Sequence, residues 1–455
     1  MLHKPLLASA LLMAPVAAWA GPSDMARWQE EASRVTITRD DWGIAHVHGV
    51  SDADAVFGAI FAQAEDDFTR IEANYLAALG RTAEAEGEEA IWADLRQRLY
   101  VDPLELQAQY HRSPAWLREL MDAWADGLNY YLATHAETKP RVLTRFEPWM
   151  ALSFTEGSIG GDIERISLSE LAGFYGGTTI ARTDEETGRR PQEPRGSNGI
   201  AIAPANTADG KALLLINPHT SFYFRSELQM TSEAGLNTYG ASTWGQFFIY
   251  QGFKQSAGWM HTSSGVDVID EFAETIVEQG GKPHYRYGEE LRPVSCTPVT
   301  LAYRRADGSK GERAFTVART HHGPIVSERD GKWIATALMW RPIPALEQSW
   351  LRTRATDLAS YLAVAERQAN SSNDTIFADA AGEIAYLHPQ FVPIRSDRFD
   401  YTRPVDGSDQ ATDWRGLTPL HSLPQAIDPG AGYVVNTNNA PWTCLLYTSP
   451  SPRDS

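Results

Sequence analysis

The stretch PRGSNGIAIAP, residues 194–204, separates two parts of the sequence that differ in pattern. Residues 21–177 carry apolar side chains at helical spacing, whereas the residues after Ser197 form short alternating runs divided by turn residues. The stretch itself has two interpretations. Gly, Ser and Asn favour turns, so GSNG could simply precede a strand. Alternatively, the polar segment 178–196 is an exposed, cleavable linker and Ser197 begins a second chain.

Local signals on both sides of this junction predict a mixed α and β protein. Residues 35–50 alternate and are rich in β-branched side chains, which predicts a pair of strands. A long helix should follow, with Ser51 as its N-cap and Gly80 as its C-terminal stop. Among the strands predicted after Ser197 are those in GIAIAP, KALLLINP, QFFIYQGF, SAGWMHTS, GEIAYLHP and GYVVNTNN.

The two ends of the sequence differ from the rest. Residues 1–20 combine a basic start, an apolar run and the ending Ala-Trp-Ala, which predicts a signal peptide and a periplasmic or secreted protein. No other run approaches the roughly 20 apolar residues of a transmembrane helix, so we expect no membrane span. The segment 444–455 resembles a translated sequencing adapter, which predicts an authentic chain that reaches about Thr443 and is truncated there.

Composition excludes some classes of partner. The chain has 40 basic and 58 acidic residues, for a net charge of −18. Nucleic-acid binding needs a basic surface, so nucleic acid is not an expected partner. The two cysteines, Cys296 and Cys444, cannot form a disulfide framework.

Cleavage before Ser197 would create a complete nucleophile and base on one residue. A free α-amino group has a pKa of about 7.7–8.0, so near neutral pH a useful fraction can accept the Ser197 hydroxyl proton. The sequence has neither a G-x-S-x-G nor an H-E-x-x-H motif. Two alternatives remain. One is a conventional serine or metal-dependent hydrolase that uses His219 or His261 and is active uncut. The other is a secreted binding protein without catalysis.

Six segments in order resemble the penicillin acylase family of N-terminal-nucleophile (Ntn) hydrolases, which includes penicillin G acylases and acyl-homoserine lactone acylases. The segments are AQAEDDFTRIEANYLAALGRTAEAEG (62–87), GSNGIAI (196–202), LLLINPHTSF (213–222), GWMHTSSGVDVIDEF (258–272), FADAAGEIAYLHP (377–389) and GYVVNTNNAP (432–441).

This resemblance implies a fold and a reaction. The fold is an α+β, four-layer αββα sandwich of two antiparallel sheets between helical layers. The precursor would cut itself at Gly196–Ser197 into a helical α chain (21–177) and a strand-rich β chain (197–443), which form a heterodimer without the linker 178–196. The product would be a hydrolase of linear amide bonds. Its small-molecule substrates would be N-acyl amides, such as acyl-homoserine lactones, lipopeptides or β-lactam side chains.

The resemblance also assigns the site. Ser197 corresponds to the nucleophile and His219 to a residue that orients it, although a packing role for His219 stays open. The backbone N–H of Ser263 and the side chain of Asn438 correspond to the oxyanion hole, where a slip to Asn439 is possible. No cofactor is expected for catalysis. The family's later arginine has no counterpart in the sequence.

A structural calcium ion is the one metal that the resemblance implies. Asp267 and Asp270 correspond to calcium ligands of the penicillin G acylases, and carboxylate oxygens suit Ca²⁺. Asp162 is the first choice for a third ligand and Glu164 the second. The alternative is that these are ordinary surface carboxylates. The pair His321-His322 before Gly323 is expected to be a structural turn at a strand end.

Overall fold

The computed structural model describes residues 21–154, 162–177, 196–221, 223–370 and 373–440. The predicted signal peptide (1–20), nearly all of the predicted linker (178–195) and the adapter-like tail (444–455) lie outside these ranges. No helix in them is both long enough and apolar enough to cross a membrane.

Seven helices precede the Gly196 junction in the described chain, and two follow it. They are α1 Pro22–Ser33, α2 Asp52–Leu79, α3 Thr82–Glu86, α4 Ile91–Arg98, α5 Pro103–Arg112, α6 Ala115–Thr134, α7 Leu168–Gly176, α8 Pro342–Arg354 and α9 Leu358–Ala365.

The strands of the described residues fall into five sheets, and most of them follow the junction. They are β1 Val35–Arg39, β2 Ala45–Gly49, β3 Gly196–Ile202, β4 Leu213–His219, β5 Arg225–Ser232, β6 Asn237–Thr243, β7 Gln251–Phe253, β8 Ala257–Ser263, β9 Asp270–Glu274, β10 Ile276–Gln279, β11 Lys282–Tyr287, β12 Glu290–Pro293, β13 Ser295–Arg304, β14 Lys310–Arg319, β15 Ile325–Arg329, β16 Lys332–Ala337, β17 Asn373–Asp379, β18 Ile384–Leu387, β19 Val405–Asp406, β20 Ala426–Ile427 and β21 Tyr433–Asn436.

The long helix α2 has the ends that its sequence predicts. Ser51 and Asp54 form a capping box, in which each side chain accepts the other residue's backbone N–H. Gly80 ends the helix in the left-handed conformation, with φ of 62°. The sequence did not predict the kink at Asp67, whose side chain accepts the Arg70 N–H at 2.9 Å and so caps the second half of the helix.

Two sheets stack face to face and create the surroundings of Ser197. The larger has the strand order β1-β2-β5-β6-β7-β8-β17-β18-β20, and the smaller has the order β21-β3-β4. Trp259 and Phe377 of the larger sheet pack against the helices. Their neighbours Met260 and Ile376 point the other way and pack against Ala201 of the smaller sheet. This alternation gives a helical layer, a large sheet and a small sheet, in that order.

The mixed α+β class is confirmed, and three of the four predicted layers lie within the described ranges. The outer face of the small sheet carries Leu213 and Leu215, which are 50% and 45% exposed. No helix of the described residues covers Leu213 and Leu215. Two details differ from expectation. Strands β2 and β5 pair in parallel. Of the predicted strand QFFIYQGF, only Gln251–Phe253 is a strand, because the preceding aromatic residues lie in a buried turn.

Candidate functional site

Ser197 lies at the start of β3, between the two stacked sheets. It pairs with Pro218 of β4, and its side chain faces the large sheet, so the residue is only 8% exposed. Its Oγ donates a hydrogen bond to the Gly196 carbonyl oxygen at 2.6 Å. Its backbone N–H donates to Asn438 Oδ1 at 2.8 Å. The hydroxyl group therefore lies beside the peptide bond at which cleavage is predicted.

Gly196 has a conformation and a position that only glycine fits. Its φ is 148°, in the region that residues with a side chain rarely adopt. An ideal Cβ built on Gly196 would lie 2.5 Å from Asn438 Nδ2. The absence of a side chain thus lets Asn438 approach the peptide bond between Gly196 and Ser197.

Asn438 connects the ends of two strands from different sheets. Its Oδ1 accepts the Ser197 N–H and also the Ser263 N–H, the latter at 3.2 Å. Because both partners are N–H donors, the oxygen of the Asn438 side-chain amide, and not its NH2 group, must face them. The residue has φ of 71°, and Asn436 Oδ1 holds its N–H at 2.8 Å. The structure therefore brings together Ser197, Ser263 and Asn438, whereas Asn439 bonds Thr437 through its side chain instead.

A network of buried polar side chains holds Asn436, which in turn binds the backbone of Asn438. Asp374 Oδ1 lies 2.5 Å from His388 Nδ1, and Asp374 Oδ2 accepts from Asn436 Nδ2 at 3.3 Å. Burial raises the pKa of Asp374, while the contact with His388 acts in the opposite direction. The sequence analysis did not identify His388 or Asn436. Strand alternation could have found both, since they share a face with the core residues Tyr386 and Val434.

Neither histidine considered from the sequence shares a face with the Ser197 side chain. His219 pairs with Gly196 across the small sheet, so its side chain projects from the outer face. His261 lies two residues after Trp259 in β8, so both side chains are on the same face of the strand, towards the helical layer. Burial, together with the charge of Arg352, lowers the pKa of His261 well below its usual value. The structure brings neither side chain to the Ser197 hydroxyl.

The aspartates proposed for calcium do not form a common cage. Asp270 is fully buried, and its Oδ2 is held by Arg395 at 2.7 Å and by the Trp414 indole at 2.5 Å. Asp267 is exposed, and its Oδ1 accepts the Ile269 N–H, while Asp162 is buried. Glu164 is exposed. Arg395 and Trp414 occupy Oδ2 of Asp270, whereas its buried Oδ1 has no hydrogen-bond partner among the described residues. A calcium ion at Asp162, Asp267 and Asp270 therefore stays a prediction.

A comparison with family models gives a match to penicillin amidase over residues 34–453. The chain belongs to the penicillin amidase family. The matched range contains the GSNG junction and every residue of the site described above. It also extends into the adapter-like segment.

The relatives within the penicillin amidase family include two kinds of acylase. The chain is 25% identical to a penicillin acylase 2 proenzyme of a Pseudomonas species, over 89% of this chain and 58% of the relative. It is 23% identical to the acyl-homoserine lactone acylase PvdQ of Pseudomonas putida, over 96% of this chain and 63% of the relative. The chain thus spans about six tenths of the length of these relatives. A solved thermostable penicillin G acylase from Alcaligenes faecalis aligns with 57% of this chain and 45% of its own, at 21% identity and a TM-score of 0.47.

Proposed function

We propose that the protein is an N-acyl amide hydrolase that matures by cutting itself between Gly196 and Ser197. The observation that carries the proposal is the meeting of Ser197 N–H and Ser263 N–H on one side-chain oxygen of Asn438, with the Ser197 hydroxyl against the Gly196 carbonyl. The family relatives, one of which is called a proenzyme, support the same reaction class.

Maturation would use the groups already in contact. Ser197 Oγ gives up its proton and adds to the Gly196 carbonyl carbon. The ester forms as the bond between Gly196 C and Ser197 N breaks, and that nitrogen takes the proton that Oγ gave up. Water then hydrolyses the ester. This step leaves a carboxylate on Gly196 and restores the Ser197 hydroxyl beside its new free amine. The α chain and the β chain would remain together as a heterodimer.

Amide hydrolysis would repeat this chemistry on an external substrate. The Ser197 amine accepts the hydroxyl proton as Oγ attacks the acyl carbon. The developing oxyanion is stabilised by Ser263 N–H and Asn438 Nδ2. The amine product leaves with the transferred proton, and water releases the acid. In the uncut chain Ser263 N–H is engaged by Asn438 Oδ1. The oxyanion hole therefore becomes available only after the junction rearranges.

Four finer features belong to this proposal. Acyl-homoserine lactones, lipopeptides and β-lactam side chains are the proposed substrates, and residues 1–20 support export to the periplasm. His219 would orient the nucleophile only if cleavage moves its side chain away from the outer face of the small sheet. A structural calcium ion would be held by Asp162, Asp267 and Oδ1 of Asp270, since Arg395 engages only Oδ2 of Asp270.

The deciding experiment compares wild type, Ser197→Ala and the matched control Ser221→Ala, whose serine is exposed at the end of the same β-ribbon. Intact mass and N-terminal sequencing should find a fragment that begins SNGIAIAP in wild type and in Ser221→Ala only. The two cut proteins should hydrolyse a panel of N-acyl amides, and Ser197→Ala should not.

Two results would contradict the proposal. Hydrolysis by an uncut wild-type chain would point to a conventional hydrolase. Equal cleavage of Ser197→Ala would mean that another protease cuts the junction and that Ser197 does not act on it.

A further inference from the structure

We propose that His321 Nε2, His322 Nε2 and Asp413 Oδ1 form a binding site for a divalent transition-metal ion of the zinc class. One ligand atom from each of the three residues lies within 4.8 Å of the other two. Asp413 Oδ1 is 2.9 Å from His322 Nε2 and 3.6 Å from His321 Nε2. In a tetrahedral zinc site with bonds of about 2.0–2.1 Å, neighbouring ligand atoms are roughly 3.3 Å apart. The two measured separations bracket that value.

Each of the three ligands is oriented through the atom that would not touch the metal. His322 Nδ1 lies 2.8 Å from Glu274 Oε1, and Glu274 is fully buried. His321 Nδ1 lies 3.1 Å from the Tyr285 hydroxyl group. The Glu274 carboxylate can only accept, so its contact favours the proton on His322 Nδ1 and leaves Nε2 as the ligating nitrogen. The Tyr285 hydroxyl group orients the His321 ring in either tautomer.

The Asp413 carboxylate and the buried His322 ring are each held by further contacts. The Tyr287 hydroxyl group donates to Asp413 Oδ2, which leaves Oδ1 directed at the histidines. The His322 ring stacks on Phe272 at 3.9 Å between centroids and 6° between planes. Thr320 Oγ1 donates to Glu274 Oε1 at 2.6 Å and so fixes the carboxylate behind His322. An arrangement in which every non-ligating atom has a partner is typical of metal centres.

The backbone explains how two adjacent histidines can face one point. They occupy the tight turn between β14 and β15, in which Thr320 N–H bonds the Gly323 carbonyl at 3.0 Å. Gly323 has φ of 149°, and a Cβ there would lie 2.1 Å from the Thr336 carbonyl oxygen. Asp413 reaches the turn from the segment after β19, so a metal would tie two distant segments together.

The chemistry of the site favours zinc over calcium. Two imidazole nitrogens and one carboxylate oxygen suit Zn²⁺, whereas Ca²⁺ prefers six to eight oxygens. The charges of Asp413 and Glu274 balance a divalent ion. The site borders a cavity of about 370 Å³ that Tyr100, Trp340 and Trp414 also line. The fourth coordination position would open to this cavity and take water or a small anion.

Metal binding to the full-length chain tests the proposal. The protein is stripped with a chelator and dialysed, and Zn²⁺ affinity is measured by competition with a chromophoric chelator. Bound Co²⁺ is followed by its visible absorption. We expect one ion per chain. His321→Ala removes one metal ligand and should weaken Zn²⁺ binding at least tenfold. Tyr285→Phe removes only the hydroxyl group that orients His321, so it should weaken binding by a smaller factor.

The variants are chosen so that a folding defect cannot explain the result. His321 has a side chain that is 31% exposed, and His284→Ala removes a nearby strand histidine that lies outside the cluster. Thermal unfolding should show that both variants are folded. The proposal is overturned if wild type binds no more zinc than His321→Ala. It is also overturned if His284→Ala loses as much affinity as His321→Ala. Either result would leave His322 as a structural bridge between two carboxylates.

Discussion

Asn438 joins residues that are far apart in sequence, and this makes it the most informative single residue of the site. Its left-handed backbone and its amide oxygen together hold the nitrogen of Ser197 and the N–H of Ser263. In the mature enzyme its amide nitrogen would be one donor of the oxyanion hole. The nearby Asn439 lacks both contacts and bonds Thr437 instead.

Replacing Asn438 with glycine should slow amide hydrolysis by a factor of about 10²–10³, the usual cost of one lost oxyanion donor. Glycine keeps the positive φ, so the change removes the side chain without adding backbone strain. Steady-state rates on the best amide of the panel measure the effect. Asn439→Ala is the control and should retain most of the activity. A larger loss in Asn439→Ala would instead place the donor one residue along the chain.

At the scale of elements, α1 packs on α6 around a partly buried group of charges. Asp126 of α6 accepts bonds from Arg27, at 2.8 Å, and from the Trp28 indole, at 2.6 Å. The carboxyl group of Glu31 lies near the same charge. Burial, and then the charge of Asp126, raise the pKa of Glu31 to about 7.

This raised pKa predicts a pH-dependent gain in Glu31→Gln. Between Glu31's ordinary pKa of 4.5 and about 7, the folded state binds more protons than the unfolded state at this residue. The free energy of unfolding therefore falls as the pH rises through that window. Glutamine removes the ionisable group, so Glu31→Gln should melt at a higher temperature than wild type at pH 8. Thermal unfolding at pH 8 and at pH 4.5 checks this.

The difference should shrink towards pH 4.5, where Glu31 is protonated in the folded state. Glu30→Gln is the matched control, because the Glu30 side chain is 77% exposed. A gain in Glu30→Gln equal to that in Glu31→Gln would show that net charge, and not burial, causes the effect.

At the scale of the whole molecule, residues from both sides of the junction build one core. The main cluster includes Trp124 and Phe146 from the helical part and Trp259 and Phe377 from the strand-rich part. Polar bonds cross the same boundary. Gln63 bonds Gly245 N–H and the Gln246 carbonyl, both at 2.9 Å. The Trp124 indole also donates to the Gly245 carbonyl.

This shared core predicts that a cut at Gly196–Ser197 leaves the two chains associated. Separation would expose large aromatic side chains and leave buried polar groups without partners. Native mass spectrometry and size-exclusion chromatography of the processed protein should give one species that contains both chains. Denaturant should release them together with the loss of tertiary structure. Two separate peaks in native buffer would contradict this view of the core.

Sequence patterns predicted local structure well where the signal was local. The cap at Ser51, the stop at Gly80 and the change from helices to strands near Ser197 all depend on neighbouring residues. The turn at residues 244–250 was missed because its apolar run reads as a strand. Burial against helices, and not the local pattern, decides its conformation. The kink at Asp67 was missed because nothing in the periodicity distinguishes it.

The sequence by itself determined the mixed fold class and the family, because motifs and periodicity are properties of nearby residues. Only the tertiary structure decided which groups meet. It joined Ser263 to Ser197 and Asn438, which are 241 positions apart in the sequence. It also placed His219 and His261 on other faces and paired Asp270 with Arg395. It also brought His321 and His322 to Asp413. The physical reason is that strand register and sheet stacking set the side of each residue, and these depend on contacts between segments that are remote in sequence.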